Sequence, residues 1–240
     1  MRTDVLGIGF DDINMDEAVK IAEELMEKRR AAYAVTPNPE IVWLCRNDPK
    51  LKKAVEGAAL VIPDGIGIIY GAKILGRPLK GKMPGIDFAE RLFAEMAKTG
   101  KSVYFFGSKP GVAKLAAANL KERFNGLVIA GTHDGYFNDD TPIIDDINEK
   151  KPDLLLVCLG APKQECWMHD NAEKLDAGFM AGLGGSLDVF AGVVERAPEN
   201  WRRLNLEWLY RLKREPRRIT RMIKLPMFLL AVIGQRIRRI

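Results

Sequence analysis

Up to about residue 195 the chain alternates short apolar runs with longer stretches of mixed character. The runs VLGIGF (5–10), AYAVTP (32–37), LVIPD (60–64), SVYFFG (102–107), LVIAGTH (127–133), DLLLVCLG (153–160) and GFMAGLG (178–184) are short, apolar and bounded by turn residues, and they predict strands. The stretches between them predict helices. In MDEAVKIAEELMEKRR the apolar positions Ala18, Ile21, Ala22, Leu25 and Met26 recur at helical spacing, and Asn14 with Glu17 three residues on has the capping-box pattern. EIVWLCRN, PKLKKAVEGA, PGIDFAERLFAEMAKTG, PGVAKLAAANLKERF, TPIIDDINEKK and PKQECWMHDNAEKL also read as helices, the third with a glycine stop.

Strands separated by helices predict βαβ units, and so an α/β fold with a mostly parallel, Rossmann-like sheet flanked by helices. In such sheets ligands bind beyond the carboxyl ends of the strands. Thr36, Asn38, Asp64, Gly107, His133, Asp134, Gly160 and Gln164 all fall at or just after expected strand ends. Asp64 stands out, because in VIPDGIGIIYGA it sits between two runs that read as buried, where an unpaired charge is costly. Gln164 opens an expected helix after Pro162, with an amide suited to reading a hydroxyl or a base edge. Gly184 and Gly185, followed by Ser186, would let a ligand approach the backbone closely. A helix N-terminus and a tight turn account for the same residues without a ligand, and spacing does not choose between the two.

The final stretch, from Glu199 to Ile240, predicts helices broken by Pro216 and Pro226. Arg214, Arg217, Arg218 and Arg221 stand at i, i+3, i+4 and i+7 and share a helix face. The apolar run Met227 to Ile233 falls short of the ~20 residues that span a bilayer. Beside basic residues it suits a membrane interface, and equally a helix packed on the core or on another subunit. From Arg196 onward there are 13 Lys/Arg against 3 Asp/Glu, whereas the preceding residues hold 24 against 29. A mildly acidic body with a basic tail points to a polyanion: nucleic acid, an anionic membrane or a phosphorylated substrate. The expected organisation is a catalytic domain over 1–195 and a basic, amphipathic helical appendage over 196–240.

Composition narrows the classes. With 240 residues, 47% hydrophobic and 29% charged, the chain can bury a core without cross-links. Cys45, Cys158 and Cys166 have no zinc-type spacing and are expected as buried free thiols in a reducing compartment. The start MRTDVLGIGFDD lacks the apolar stretch of a signal peptide, so a cytoplasmic location is expected. GIGFDD and GLGGSLD lack the third glycine of a dinucleotide fingerprint, which disfavours a nicotinamide oxidoreductase. GSKPGVAK lacks the full Walker pattern, and a plain turn is its simpler reading. His169 is expected to be exposed on a polar helix. Trp201, Trp208 and Tyr210 read as core contacts and not as a base-stacking platform, which weighs against a nucleic-acid-binding module and against a nucleic-acid partner. No Asp-x-Asp triplet occurs, so no metal is expected, and a diphosphate leaving group would need Arg or Lys instead.

The motifs TPNPE (36–40), PDGIGI (63–68), PGIDF (84–88), GSKPGV (107–112), GYF (135–137), GAPKQE (160–165), GGSLDVFAG (184–192), RAP (196–198) and LEWLYRL (206–212) follow one another along nearly the whole chain. Together they resemble the WecG/TagA/CpsF family of glycosyltransferases, glycosyltransferase family 26, nearest to its TagA-like N-acetylmannosaminyltransferases. The resemblance implies an inverting, metal-independent transfer, with no cofactor, from a UDP-sugar donor to a polyprenyl-diphosphate-linked sugar acceptor. In the wall-teichoic-acid branch N-acetylmannosamine passes from UDP-N-acetylmannosamine to undecaprenyl-diphosphate N-acetylglucosamine, giving a β-1,4 disaccharide lipid. Another branch uses the uronic acid form of that donor.

By position the resemblance implies Asp64 as general base. It implies Thr36, Asn38, Lys82 and Gln164 as substrate-binding residues, and Arg214 and Arg221 as cations reaching toward the diphosphates. Lys82 stands where relatives often carry arginine, keeping the charge but not the bidentate geometry. In His133-Asp134-Gly135, Asp134 stands where relatives commonly carry a second histidine. The resemblance further implies a peripheral protein docked on the inner face of the cell membrane through its basic appendage, and homo-oligomer formation.

Overall fold

A computed structural model describes residues 2–29, 32–216, 219 and 223–238. Six strands, β3 (Ala32–Val35), β4 (Leu60–Val61), β5 (Ser102–Gly107), β6 (Val128–His133), β7 (Leu154–Cys158) and β8 (Phe179–Gly182), form one sheet in the order β4-β3-β8-β7-β5-β6. Every pairing in it is parallel, as the alternating pattern led us to expect. Apolar side chains alternate between its faces. Ala34, Phe105, Leu154, Leu156 and Phe179 point into one core layer. Tyr33, Tyr104, Phe106, Leu155 and Met180 point into the other.

The first layer is covered by α1 (Met15–Lys28), α5 (Gly85–Thr99), α6 (Val112–Arg123) and α9 (Ser186–Phe190). The Asn14–Glu17 capping box starts α1, and Gly100 in a left-handed conformation ends α5, both as the sequence indicates. The second layer is covered by α2 (Pro39–Cys45), α3 (Pro49–Glu56), α4 (Ile66–Ile74), α7 (Thr141–Lys150), α8 (Lys163–Asn171) and α12 (Lys224–Ile237). Two short helices, α10 (Glu199–Arg203) and α11 (Glu207–Arg214), lead from the body toward α12.

Some expectations need correction. VLGIGF is not one strand. It is split between β1 (Arg2–Val5) and β2 (Ile8–Asp11), an antiparallel hairpin outside the main sheet. Leu6 and Gly7 both have positive φ, 54° and 85°, the two-residue turn whose twist suits a hairpin. Pro226 does not break a helix: it is the third residue of α12, in the first turn, where a missing N–H costs no intrahelical bond. Pro216 does follow the end of α11. His169 is half-buried, its Nδ1 3.1 Å from the Tyr33 hydroxyl, which donates to the Ala54 carbonyl at 2.6 Å. Trp201 packs edge-on to Tyr210 at 5.7 Å, but Trp208 is exposed. Cys45 and Cys158 are buried free thiols and Cys166 is partly buried.

The run Met227–Ile233 lies within α12 and faces two ways. Phe228 and Val232 are fully buried against the body, while Met227, Leu230 and Ile233 are exposed. Gly71 of α4 provides the flat seat, since a Cβ there would lie 3.0 Å from the Phe228 ring. Lys224 pairs with Glu40 of α2 at 3.2 Å, and Gln235 bonds both Asp4 and the Leu6 amide of the hairpin, at 3.0 and 3.2 Å. Arg217, Arg218 and Arg221 lie outside the described residues. Among the described residues no helix is long and apolar enough to cross a membrane.

Candidate active site

The carboxyl ends of the strands bring the expected residues to one edge of the sheet. Beyond β4 the backbone is tied down on both sides: the Asp64 amide donates to the Pro37 carbonyl at 3.3 Å, and the Met83 amide to the Pro63 carbonyl at 2.8 Å. Gly65 follows with φ 83° and opens α4, a conformation that a side chain would strain. The turn thereby holds Asp64 half-buried at the sheet edge. Burial pushes its carboxyl up to about 6; Arg211 pulls it down, Glu207 pushes it up, and the Gly65 amide and Lys82 pull it down. A carboxyl so placed can accept a proton near neutrality.

Thr36 and Gln164 converge on the end of β8. The Thr36 hydroxyl donates to the Gly182 carbonyl at 3.2 Å, and a Cβ at Gly182 would stand 3.3 Å from Gln164 Nε2. Gln164 is buried. Its Oε1 accepts from the amides of Gly160 and Gly184, at 3.2 and 2.9 Å, while Nε2 donates to Glu165 at 2.9 Å. Its amide thus staples the β7–α8 loop to the β8–α9 loop and fixes Gly184, where added side-chain atoms would meet open space. Gly185 follows as the residue preceding α9. Asn38 caps α2 through its side-chain oxygen, 3.0 Å from the Ile41 amide, and its Cβ lies beside Gly65, next to Asp64. Glu165 is fully buried with Oε2 unpartnered among the described residues, and burial raises its carboxyl above the ordinary range.

The cations come from three segments. Lys82 Nζ lies 3.5 Å from the Arg202 carbonyl, which joins the segment before α5 to the tail. Arg196 pairs with Asp87 of α5 at 2.5 Å, and Arg211 with Glu207 on its own helix at 2.5 Å. Arg214 is exposed and engages Glu195 and the Tyr210 hydroxyl, so among the described residues the tail cation that acts on Asp64 is Arg211. Arg221 is outside the described residues. Arg196, Arg202, Glu207 and Arg211 escaped the reading of the sequence, although RAP holds the first and LEWLYRL the last two.

An open hollow of about 430 Å³ is lined by Gly135, Tyr136, Phe137, Asn138 and Lys163. It lies between the segment after β6 and the start of α8, where Lys163, next to Gln164, donates to the Gly135 carbonyl at 3.1 Å. His133, at the end of β6, bonds the Asp134 carbonyl at 2.8 Å. Among the described residues no three His, Cys, Asp or Glu side chains gather as metal ligands would.

A parallel sheet that collects the raised carboxyl of Asp64 and several cations near its carboxyl edge has the features of an α/β enzyme site. The chain belongs to the WecG/TagA/CpsF family of glycosyl transferases, whose model matches residues 3–240. It is similar to three proteins named N-acetylglucosaminyldiphosphoundecaprenol N-acetyl-beta-D-mannosaminyltransferase. One, from Bacillus spizizenii, is 36% identical over 87% of this chain and 81% of its own. Another, from Bacillus subtilis, is 32% identical over 98% and 93%. The third, from Staphylococcus aureus, is 31% identical over 95% and 91%.

Proposed function

We propose that this glycosyltransferase moves N-acetylmannosamine from UDP-N-acetylmannosamine to the N-acetylglucosamine of undecaprenyl-diphosphate N-acetylglucosamine, inverting the anomeric centre and using no metal. The relatives' shared name supports the acceptor and the sugar. The observation that carries the mechanism is Asp64, a half-buried carboxyl raised to about 6 with Lys82 and Arg211 acting on it.

As the acceptor's 4-hydroxyl oxygen attacks C1, Asp64 takes its proton. The C1–O bond to the diphosphate breaks on the opposite face, its electron pair staying with UDP. Attack from the face opposite the leaving group gives the β linkage. Lys82 and Arg211 offset the charge that develops on the diphosphate. Thr36, Asn38 and the loops fixed by Gln164, with Gly184 and Gly185, shape the donor side. Arg214 and Arg221 belong to the tail that approaches the diphosphates.

The appendage, 196–240, docks the enzyme on the inner face of the cell membrane. Its support is the exposed apolar face of α12, a helix with no acidic residue and with Arg236 and Arg238 at its end.

The test is UDP release from UDP-N-acetylmannosamine with a short-chain prenyl-diphosphate N-acetylglucosamine and EDTA present. Wild type should release UDP only with acceptor, and Asp64→Asn should be slower by about 10²–10⁴-fold. Equal rates for the two proteins would remove Asp64 from the mechanism. No release by folded wild type would remove the assigned substrates.

A further inference from the structure

The first turn of α8 carries three consecutive polar side chains with three destinations. Lys163 donates to the Gly135 carbonyl, beyond β6. Gln164 Oε1 accepts from the Gly160 and Gly184 amides, beyond β7 and β8. Glu165 is fully buried; its Oε1 accepts from Gln164 Nε2 at 2.9 Å, and its Oε2 has no partner among the described residues. A buried carboxyl with one oxygen unsatisfied costs stability that an apolar side chain of similar size would not. Its presence therefore calls for a function, and Gln164 shows which. Both loop amides use the oxygen end of the Gln164 amide, so the orientation that holds them also aims Nε2 at Glu165. Without that acceptor Nε2 becomes a buried donor with no partner among the described residues, a penalty that the amide relieves by turning away from the two glycines. Gly160 and Gly184 have positive φ, 77° and 51°, and a Cβ on either would meet open space. β7 and β8 are neighbours in the sheet, so the Gln164 amide sets the gap between two loops that a ligand can approach closely. On the other side of β8, the Thr36 hydroxyl holds the Gly182 carbonyl, and the Asp64 amide holds that of Pro37. A series of polar ties across the ends of four adjacent strands thus runs from Asp64 to Glu165.

We propose that Glu165 is a positioning residue of the donor site: by accepting from Gln164 Nε2 it fixes the amide that spaces the Gly160 and Gly184 loops around the UDP-sugar. This rests on the transferase reading and deepens it, since Glu165 acts through Gln164 and from beneath the site. The hydrogen-bond acceptor is what Gln164 needs, and not the charge. Burial raises the Glu165 carboxyl above the ordinary range, and a neutral acid still accepts through its carbonyl oxygen.

The full-length protein decides it, through UDP-release kinetics with UDP-N-acetylmannosamine and the short-chain acceptor, equilibrium binding of UDP, and hydrogen exchange at the Gly184 amide. Glu165→Leu fills similar space without an acceptor. It should raise the donor KM and the UDP Kd by about 10-fold while kcat changes by less than about 2-fold. Exchange at the Gly184 amide should quicken in the same variant, because its Gln164 partner is no longer held. Glu165→Gln offers an amide oxygen to Nε2 and should bring KM, Kd and exchange back to wild-type values, a rescue that a role in packing α8 alone would not give. Should Glu165→Leu fail to fold, Glu165→Met makes the same comparison. Wild-type donor KM, or wild-type exchange at Gly184, in a folded Glu165→Leu or Glu165→Met overturns the proposal whatever the change in Tm. A loss that Glu165→Gln shares also overturns it, by assigning the effect to the charge. Absence of acceptor-dependent UDP release by folded wild type strikes the transferase reading instead, and UDP affinity and amide exchange then still judge Glu165.

Discussion

Asp64 exchanges its proton at a pH set partly by a helix more than 140 positions away in the chain. Arg211 lowers its carboxyl and Glu207 raises it. With Asp64 as the proposed base, active only when ionised, kcat/KM should rise with pH through about 6 and level off above. Glu207→Gln removes a like charge and should move that limb to lower pH, whereas Arg211→Gln should move it higher. A pH–rate profile of each variant checks both signs. Glu165 behaves differently, as a buried acid whose raised carboxyl serves Gln164. A group raised on folding contributes stability that is full below its ordinary value of 4.5 and is lost as pH climbs through the raised one. Thermal melts should therefore show Glu165→Gln gaining on wild type as pH rises above 4.5, with a constant difference below. Asp64 was legible in sequence because a carboxylate between buried runs breaks a local rule. Arg211 and Glu207 were not, because nothing local ties a tail helix to a distant turn.

At the scale of elements, α4 and α12 form the unit that braces the Asp64 turn. Phe228→Ala should cost about 3–5 kcal/mol of that docking. A lower Tm and faster proteolysis of the tail, with the rest of the body protected, are the expected readouts. The alternation of runs made the sheet readable from sequence, since buried parallel strands are short, apolar and separated by helices. The hairpin was not readable, because Leu6 takes a positive φ that nothing in its side chain announces. Nor did the run after Gly65 disclose a helix: apolar on nearly every side and covered by α12, it has little amphipathic period to detect. Pro226 misled for a related reason, since a proline reads as a break only once the helix start is known.

Over the whole molecule, charge and apolar surface are segregated. The basic tail was plain from composition, and so was its likeness to either a membrane-facing or a core-packing helix; α12 packs one face on the core and leaves its other apolar face exposed. The boundary at 196 marks a change in charge more clearly than a change in structure, because Lys82, Asp87 and Asp64 all meet groups beyond it. Replacing Leu230 and Ile237, both exposed, with Glu should abolish cosedimentation with anionic vesicles and leave Tm within about 2 °C. Wild-type binding should weaken as salt rises, since screening acts on the basic residues and not on the apolar face.

The seat of Phe228 on Gly71 has a mechanical consequence. The nine residues of α4 make a rod ~13 Å long with Asp64 joined to one end, and α12 rests along it. The position of Asp64 is thus surveyed from two frames, the sheet through β4 and the tail helix through this rod. A tilt imposed on α12 would be delivered at the other end of the lever as a displacement of the carboxylate. A protein cut before residue 224 would accordingly lose alignment together with charge, whereas Phe228→Ala loosens the lever and leaves every cation in the chain.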